Sequence, residues 1–142
     1  MEIRRLTPDY AVSPQIAPED VAVLRDAGFV AIICNRPDAE VGPDEDSAAI
    51  GAAAQAAGLA FHVNPVVNGG LSEDGIAVQR EICDTAGGPV FAYCRSGTRS
   101  TVVWALAKAV DTPAEALVQA AADQGYDLSP MRAQFEARHR AD

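Results

Sequence analysis

Three short apolar runs, VAIIC (Val30 to Cys34), AFHVNPVV (Ala60 to Val67) and PVFAY (Pro89 to Tyr93), are separated from one another by single helix-like stretches. That alternation constrains the fold more than any other feature of the chain. Strands joined through helices cannot form hairpins, so they pair in parallel by right-handed crossovers, and a parallel sheet needs helices on both faces. The expectation is an α/β fold: one domain spanning residues 1–142, with a mainly parallel central sheet flanked by helices. The length suits one domain with a core of its own.

The intervening stretches carry helix punctuation. Pro18, Glu19 and Asp20 open a helix through VAVLRDAG, with Gly28 as its stop. After the acidic loop PDAEVGPDEDS comes an alanine-rich helix from Asp46 to Ala57, closed by Gly58. AFHVNPVV reads as a second core strand leading into a loop with Asn68, Gly69 and Gly70. Ser72, Glu73 and Asp74 form an N-cap and acidic first turn for IAVQREICDTA, and Gly87 and Gly88 end it. A helix is expected from Arg99 to Val110, another from Thr112-Pro113 to Gly125, and a last, charged one from Ser129-Pro130 to the C-terminus with a solvated face. IRRL and YAVS at the N-terminus suit an edge hairpin or strand.

Charge and cysteine usage exclude several function classes. The formal net charge of −9 argues against nucleic acid or an anionic membrane as partner, so any anion site must be built locally against the general field. No apolar run approaches the length of a membrane span, and MEIRRLTPDYAV lacks the apolar core of a secretory signal, which makes the cytoplasm the expected location. Cys34, Cys83 and Cys94 form no C-x-x-C pair, and His62 and His139 lie far apart, so neither a zinc site nor a disulfide framework is expected, and no cofactor is called for. Cys34 and Cys83 read as small core residues, His62 as a core or edge histidine, and Trp104 as core.

Cys94 stands apart. In FAYCRSGTRSTVVWALAKA the six residues from Cys94 to Arg99 must turn from strand to helix. In α/β sheets ligands bind beyond the carboxyl ends of the strands, where this turn lies. A helix N-terminus carries unpaired N–H groups and partial positive charge, and a short loop wrapped there aims those donors at one point. Gly97 supplies backbone freedom, the hydroxyls of Ser96, Thr98 and Ser100 add donors, and Arg95 or Arg99 offers a bidentate fork. The same donors stabilise a thiolate, which makes Cys94 a candidate nucleophile at neutral pH. Arg36 and Asp38, after VAIIC, either border this site at the same sheet edge or pair at the surface.

The segment CRSGTRS resembles the active-site loops of two chemistries: the protein tyrosine and dual-specificity phosphatases, with Cys-x5-Arg, and the rhodanese sulfurtransferases, commonly with Cys-x4-Arg. Four residues separate Cys94 from Arg99, the rhodanese spacing. SPQIAPEDVAVLRDAGFVAIICNRPDAE, AFHVNPV and AADQGYDLSP are similar to a small bacterial family with a dual-specificity-phosphatase-like fold. That family is also found fused to β-lactamase-like hydrolases and is described as phosphatase-like or as sulfur transferase. The resemblance implies the active loop between a strand and a helix, with Cys94 and Arg99 as catalytic residues and Arg95, Ser96, Gly97, Thr98 and Ser100 around the anion.

The chain departs from the phosphatase pattern in three ways. The loop is one residue short, Tyr93 stands where phosphatases usually have histidine, and the stretch expected to carry a general-acid aspartate, HVNPVVNGGLSED, has Asn64 and Asn68 but no aspartate before Asp74. Sulfur transfer needs no such acid. The favoured expectation is therefore a rhodanese-like sulfurtransferase passing sulfur from thiosulfate or a persulfide through a Cys94 persulfide to a thiol acceptor. The alternatives are a phosphatase acting on a phosphate ester through a Cys94 phosphocysteine, and a non-catalytic module sensing an oxyanion or sulfane sulfur. Cys34 or Cys83 could serve as a resolving thiol only if the fold brings it to the loop.

Overall fold

The computed structural model describes residues 1–67 and 71–140. Its strands are β1 (Arg4–Thr7), β2 (Tyr10–Ser13), β3 (Ala31–Cys34), β4 (Ala60–Val63) and β5 (Val90–Tyr93). Its helices are α1 (Val21–Asp26), α2 (Ser47–Ala57), α3 (Glu73–Thr85), α4 (Thr98–Lys108), α5 (Ala114–Asp123) and α6 (Arg132–Arg138). The strands form one sheet in the order β1-β2-β5-β3-β4. The β1–β2 pair is antiparallel; β2–β5, β5–β3 and β3–β4 are parallel.

Strand alternation divides the core into two layers. Val12, Ile33, Val90 and Ala92 face a large cluster with residues of α3, α4, α5 and α6, including Val103, Trp104, Leu117 and Phe135. Ala11, Ile32, Cys34, Phe91 and Tyr93 face the other way, onto Leu24 of α1 and Ile50 and Ala54 of α2. β5, at the centre, is buried on both faces along its whole length, as an inner parallel strand should be. The α/β sandwich and its mainly parallel sheet are as the alternation of runs implies.

Helix punctuation also holds. The Asp46 side chain accepts from the Ala49 N–H, the Ser72 side chain accepts from the Gly75 N–H, and Gly58 closes α2 in the left-handed region. Three expectations are corrected. AFHVNPVV is not a core strand: β4 is the sheet edge, with Ala60 and Val63 exposed and Phe61 and His62 half-buried. The N-terminal edge hairpin, by contrast, forms as expected, with β1 at the edge and β2 joining it to β5. α4 runs from Thr98 to Lys108, so it begins one residue before the expected start at Arg99 and takes Thr98 from the loop into its first turn. The last helix stops at Arg138 and buries Phe135 completely, a contribution of about 1.5–3 kcal/mol, so it is more than a solvated surface helix. The loop expected at Asn68, Gly69 and Gly70 lies outside the described residues.

Candidate active site

β5 delivers Cys94 to the carboxyl edge of the sheet, between the ends of β2 and β3, and the thiol residue is almost fully buried. The chain after β2 follows the loop outward: the Cys94 N–H donates to the Ser13 carbonyl at 3.5 Å and the Gln15 N–H to the Arg95 carbonyl at 3.3 Å. Gly97 caps α4 with φ +93°, a conformation that other residues adopt only under strain. Its N–H donates to Cys94 Sγ at 3.1 Å, while its carbonyl accepts from the Thr101 N–H and hydroxyl, starting the helix.

The peptide that aims this donor is held from behind. In a trans peptide the C=O and the following N–H point in opposite directions. The Ser96 carbonyl accepts from the Tyr126 hydroxyl at 2.9 Å, so the Gly97 N–H on the other side of the same peptide is turned to the sulfur. The Tyr126 hydroxyl also fills the space where any side chain at position 97 would stand, which makes glycine necessary on two grounds.

The expected anion donors divide. The Ser96 and Thr98 hydroxyls pair with each other at 3.0 Å on the exposed rim, where Arg95 is also exposed. Ser100 Oγ is wholly buried in the first turn of α4 and has no hydrogen-bond partner among the described residues, an uncommon state for a buried hydroxyl. Arg99 points to Glu40: Nη1 and Nη2 reach its two carboxylate oxygens at 2.9 and 2.7 Å, and Nη1 also donates to the Val66 carbonyl at 2.8 Å. Arg36 reaches the same carboxylate at 3.3 Å and donates to the Glu40 carbonyl and to Gln15. The Arg99 hydrogen bonds, with those from Arg36, hold the Glu40 carboxyl below its usual range against the opposing effect of burial. Asp38 fixes this loop by accepting from the Ser47 N–H and hydroxyl. Arg36, Arg95 and Arg99, with Glu40, Ser96 and Thr98, line a basin of about 660 Å³.

Beneath the loop lies a buried polar cluster. Asn35 Nδ2 donates to the Asn64 carbonyl and to Gln79 Oε1, Asn64 Nδ2 donates to Gln79 Oε1 and the Gly75 carbonyl, and Gln79 Nε2 donates to the Tyr10 hydroxyl. The Tyr10 hydroxyl in turn donates to the Ser100 carbonyl of α4. Asn64 is thus structural. Glu73 pairs with Arg138, and Asp74 is exposed in the first turn of α3. No residue from 47 to 72 is acidic.

The other thiols lie outside the loop: Cys34 ends β3, opposite Tyr93 of β5, and Cys83 is on α3. Cys34 belongs to the layer facing α1 and α2, its thiol donates to the Arg36 carbonyl at 3.3 Å, and burial pushes its pKa up. Cys83 lies on α3 near Lys108, at the far end of α4, with its pKa pushed up to about 11, chiefly by burial. About ten residues of helix, or about 15 Å, separate that end from the loop. Glu40, Tyr126 and the Val66 carbonyl escape sequence reasoning. Glu40 sits in an acidic loop that reads as solvent-facing, and Tyr126 lies in AADQGYDLSP with nothing local to tie it to a loop thirty residues earlier.

Residues 2–111 match the family described as beta-lactamase hydrolase-like protein, phosphatase-like domain. A beta-lactamase hydrolase-like protein of Xylella fastidiosa is 35% identical over 112 residues, covering 78% of this chain and 26% of that protein. The chain therefore spans about a quarter of the length of that relative. A crystal structure of a candidate phosphatase from Neisseria meningitidis Z2491 is similar at TM-score 0.84 and 31% identity, covering 97% of this chain and 99% of the other. Pseudomonas aeruginosa TpbA, solved as a cysteine-to-serine variant in complex with phosphotyrosine, shares the fold at TM-score 0.61 and 16% identity over 94% of this chain and 89% of its own. With a strand-to-helix cysteine loop at the centre of this fold and a family match over most of its length, the chain belongs to the phosphatase-like domain family of the beta-lactamase hydrolase-like proteins.

Proposed function

We propose that this chain is a cysteine-dependent hydrolase of phosphate monoesters acting through a Cys94 phosphocysteine. One observation carries this: the Cys94 loop opens, at the N-terminus of α4, on a basin ringed by Arg36, Arg95 and Arg99. Such a basin suits a dianionic group attached to a larger body. The likeness to the Neisseria structure over nearly both whole chains, and the phosphotyrosine complex of TpbA, favour phosphoryl over sulfur chemistry, and reverse the preference drawn from the short loop, Tyr93 and the missing aspartate.

The Cys94 thiolate attacks phosphorus as the ester oxygen leaves, giving phosphocysteine and an oxyanion that takes its proton from water; water then cleaves the S–P bond and releases phosphate and the thiolate. Loop N–H groups, led by that of Gly97, and the Arg99 guanidinium stabilise charge on the equatorial oxygens. Glu40 is held ionised by two arginines, so it accepts hydrogen bonds and orients Arg99 rather than donating a proton. With no acidic residue from 47 to 72, the leaving oxygen departs best as a phenoxide, whose conjugate acid has a pKa of about 10.

That lack of a proton donor is also what favours a second mechanism, sulfur transfer from thiosulfate or a persulfide to a thiol acceptor through a Cys94 persulfide. The two are separated by mass analysis of Cys94 trapped during turnover, together with phosphate release from an aryl phosphate and thiocyanate formation from thiosulfate and cyanide. The expected result is aryl phosphate hydrolysis, abolished by Cys94→Ser, with a phosphoryl adduct on Cys94. A sulfur adduct with thiocyanate formation and no phosphate release would overturn it in favour of sulfur transfer. Binding without turnover in both assays would leave a sensing module.

A further inference from the structure

A second cavity adjoins the basin at Arg99. Thr98 and Arg99 also line a groove of about 630 Å³ between α3, α4 and α6, walled by Val66, Ile76, Val102, Leu106, Met131 and Ala137. Its volume is that of a small-molecule site. Its far end is bounded by Arg138, which donates to the Leu106 carbonyl at 3.0 Å and pairs with Glu73 at 2.8 Å. From Thr98 to Leu106 the helix advances about 12 Å. Basin and groove, which share Thr98 and Arg99, thus offer together a guanidinium and a helix N-terminus at one end, apolar side chains beyond it, and an ion pair at the far limit.

We infer that the substrate is an amphiphilic phosphate monoester, with its phosphate at Cys94 and an apolar ester group about 12 Å long lying along α4 between α3 and α6. This rests on the phosphatase proposal for the chemistry, but the groove makes its own demand on the ligand. The shared wall commits the groove to the body of the bound anion, and the ion pair at the far end suits a ligand of finite length rather than a protein segment running through. A compact polar phosphate ester would fill the basin and leave the apolar walls without a role.

The test uses the Cys94→Ser protein and n-alkylphosphonates from methyl to dodecyl, with affinity read by calorimetry below the micellar concentration. Affinity should rise about two- to fourfold per methylene, as buried CH₂ groups require, and level off near decyl. Ala137→Trp, at an exposed position of α6, should flatten this rise while leaving methylphosphonate affinity unchanged. Val67→Gln, at the exposed mouth of the groove, should weaken the rise without filling the groove. Affinity independent of chain length, or a rise unaffected by both substitutions, would overturn the inference even if phenyl phosphate is hydrolysed. A length-dependent rise that both substitutions suppress, in a protein that hydrolyses no phosphate ester, would sustain the amphiphilic ligand and overturn the phosphatase proposal alone.

Discussion

Tyr126 controls one peptide, and that peptide controls what Cys94 meets. Because the Ser96 carbonyl and the Gly97 N–H are opposite ends of one rigid unit, removing the Tyr126 hydroxyl frees the donor at the sulfur. Tyr126→Phe keeps the ring, including its contact with Arg4, and removes one hydrogen bond. Stability should fall by only about 0.5–1.5 kcal/mol, whereas alkylation of Cys94 by neutral iodoacetamide at pH 7 should slow several-fold. A slope confined to the thermal melt, with alkylation unchanged, would make Tyr126 merely structural. Glu40 sets a second residue-scale expectation. Its folded pKa is depressed below 4.5, so the contact with Arg99 contributes stability above that pH and loses it as pH falls through the depressed value. Wild type should therefore exceed Glu40→Gln in melting temperature near neutrality, and the gap should close under acid; a gap that stays constant with pH would show that the carboxylate charge is irrelevant.

Elements meet beneath the loop through the Asn35–Asn64–Gln79–Tyr10 cluster, which links the chain after β3, the chain after β4, α3, β2 and, through the Ser100 carbonyl, α4. Gln79 is its hub, fully buried and bonded to three side chains. Gln79→Leu, close in volume, strands two amide donors and a phenol acceptor; at about 1–3 kcal/mol for each unsatisfied group it should cost several kcal/mol in urea unfolding. A loss under about 1 kcal/mol would mean the cluster relaxes onto water. None of this was legible in the sequence, where Gln79 is one polar residue in an amphipathic helix and Asn64 draws notice only as a missing aspartate. What was legible depends on local pattern: strand and helix order, the Asp46 and Ser72 caps, and Cys94 at a strand-to-helix turn. What was not legible depends on long-range placement. AFHVNPVV and VAIIC have the same apolar character, yet one is an edge and the other central, because strand order is decided by which helices cover which face. Glu40 likewise lies in a loop of charged residues, and only the fold shows that two arginines approach it.

At the scale of the whole molecule, the proposed function requires a chain with a net charge of −9 to attract an anion to one spot. The Debye length is about 30 Å at 0.01 M salt and about 10 Å at 0.1 M, so at low salt an approaching anion meets the charge of the entire protein, and at moderate salt mainly what lies near the basin. There Arg36, Arg95 and Arg99 outnumber Glu40, and the amide ends of α4 add partial positive charge. Iodoacetate and iodoacetamide carry the same reactive carbon and differ in charge, so their alkylation rates at Cys94, each divided by the rate with free cysteine, isolate the field at the sulfur. The normalised ratio should favour iodoacetate, rise as salt increases from 0.01 to about 0.1 M because distant repulsion is screened first, and drop below one in the Arg36→Ala, Arg95→Ala double variant. Cys34, buried, and Cys83, half-buried, both have raised pKa values and should contribute little to either rate, which Cys94→Ser verifies directly. A ratio below one in the unaltered protein at every salt concentration would mean that the global charge prevails at Cys94, and an anionic substrate would then need more than this basin to reach the thiol.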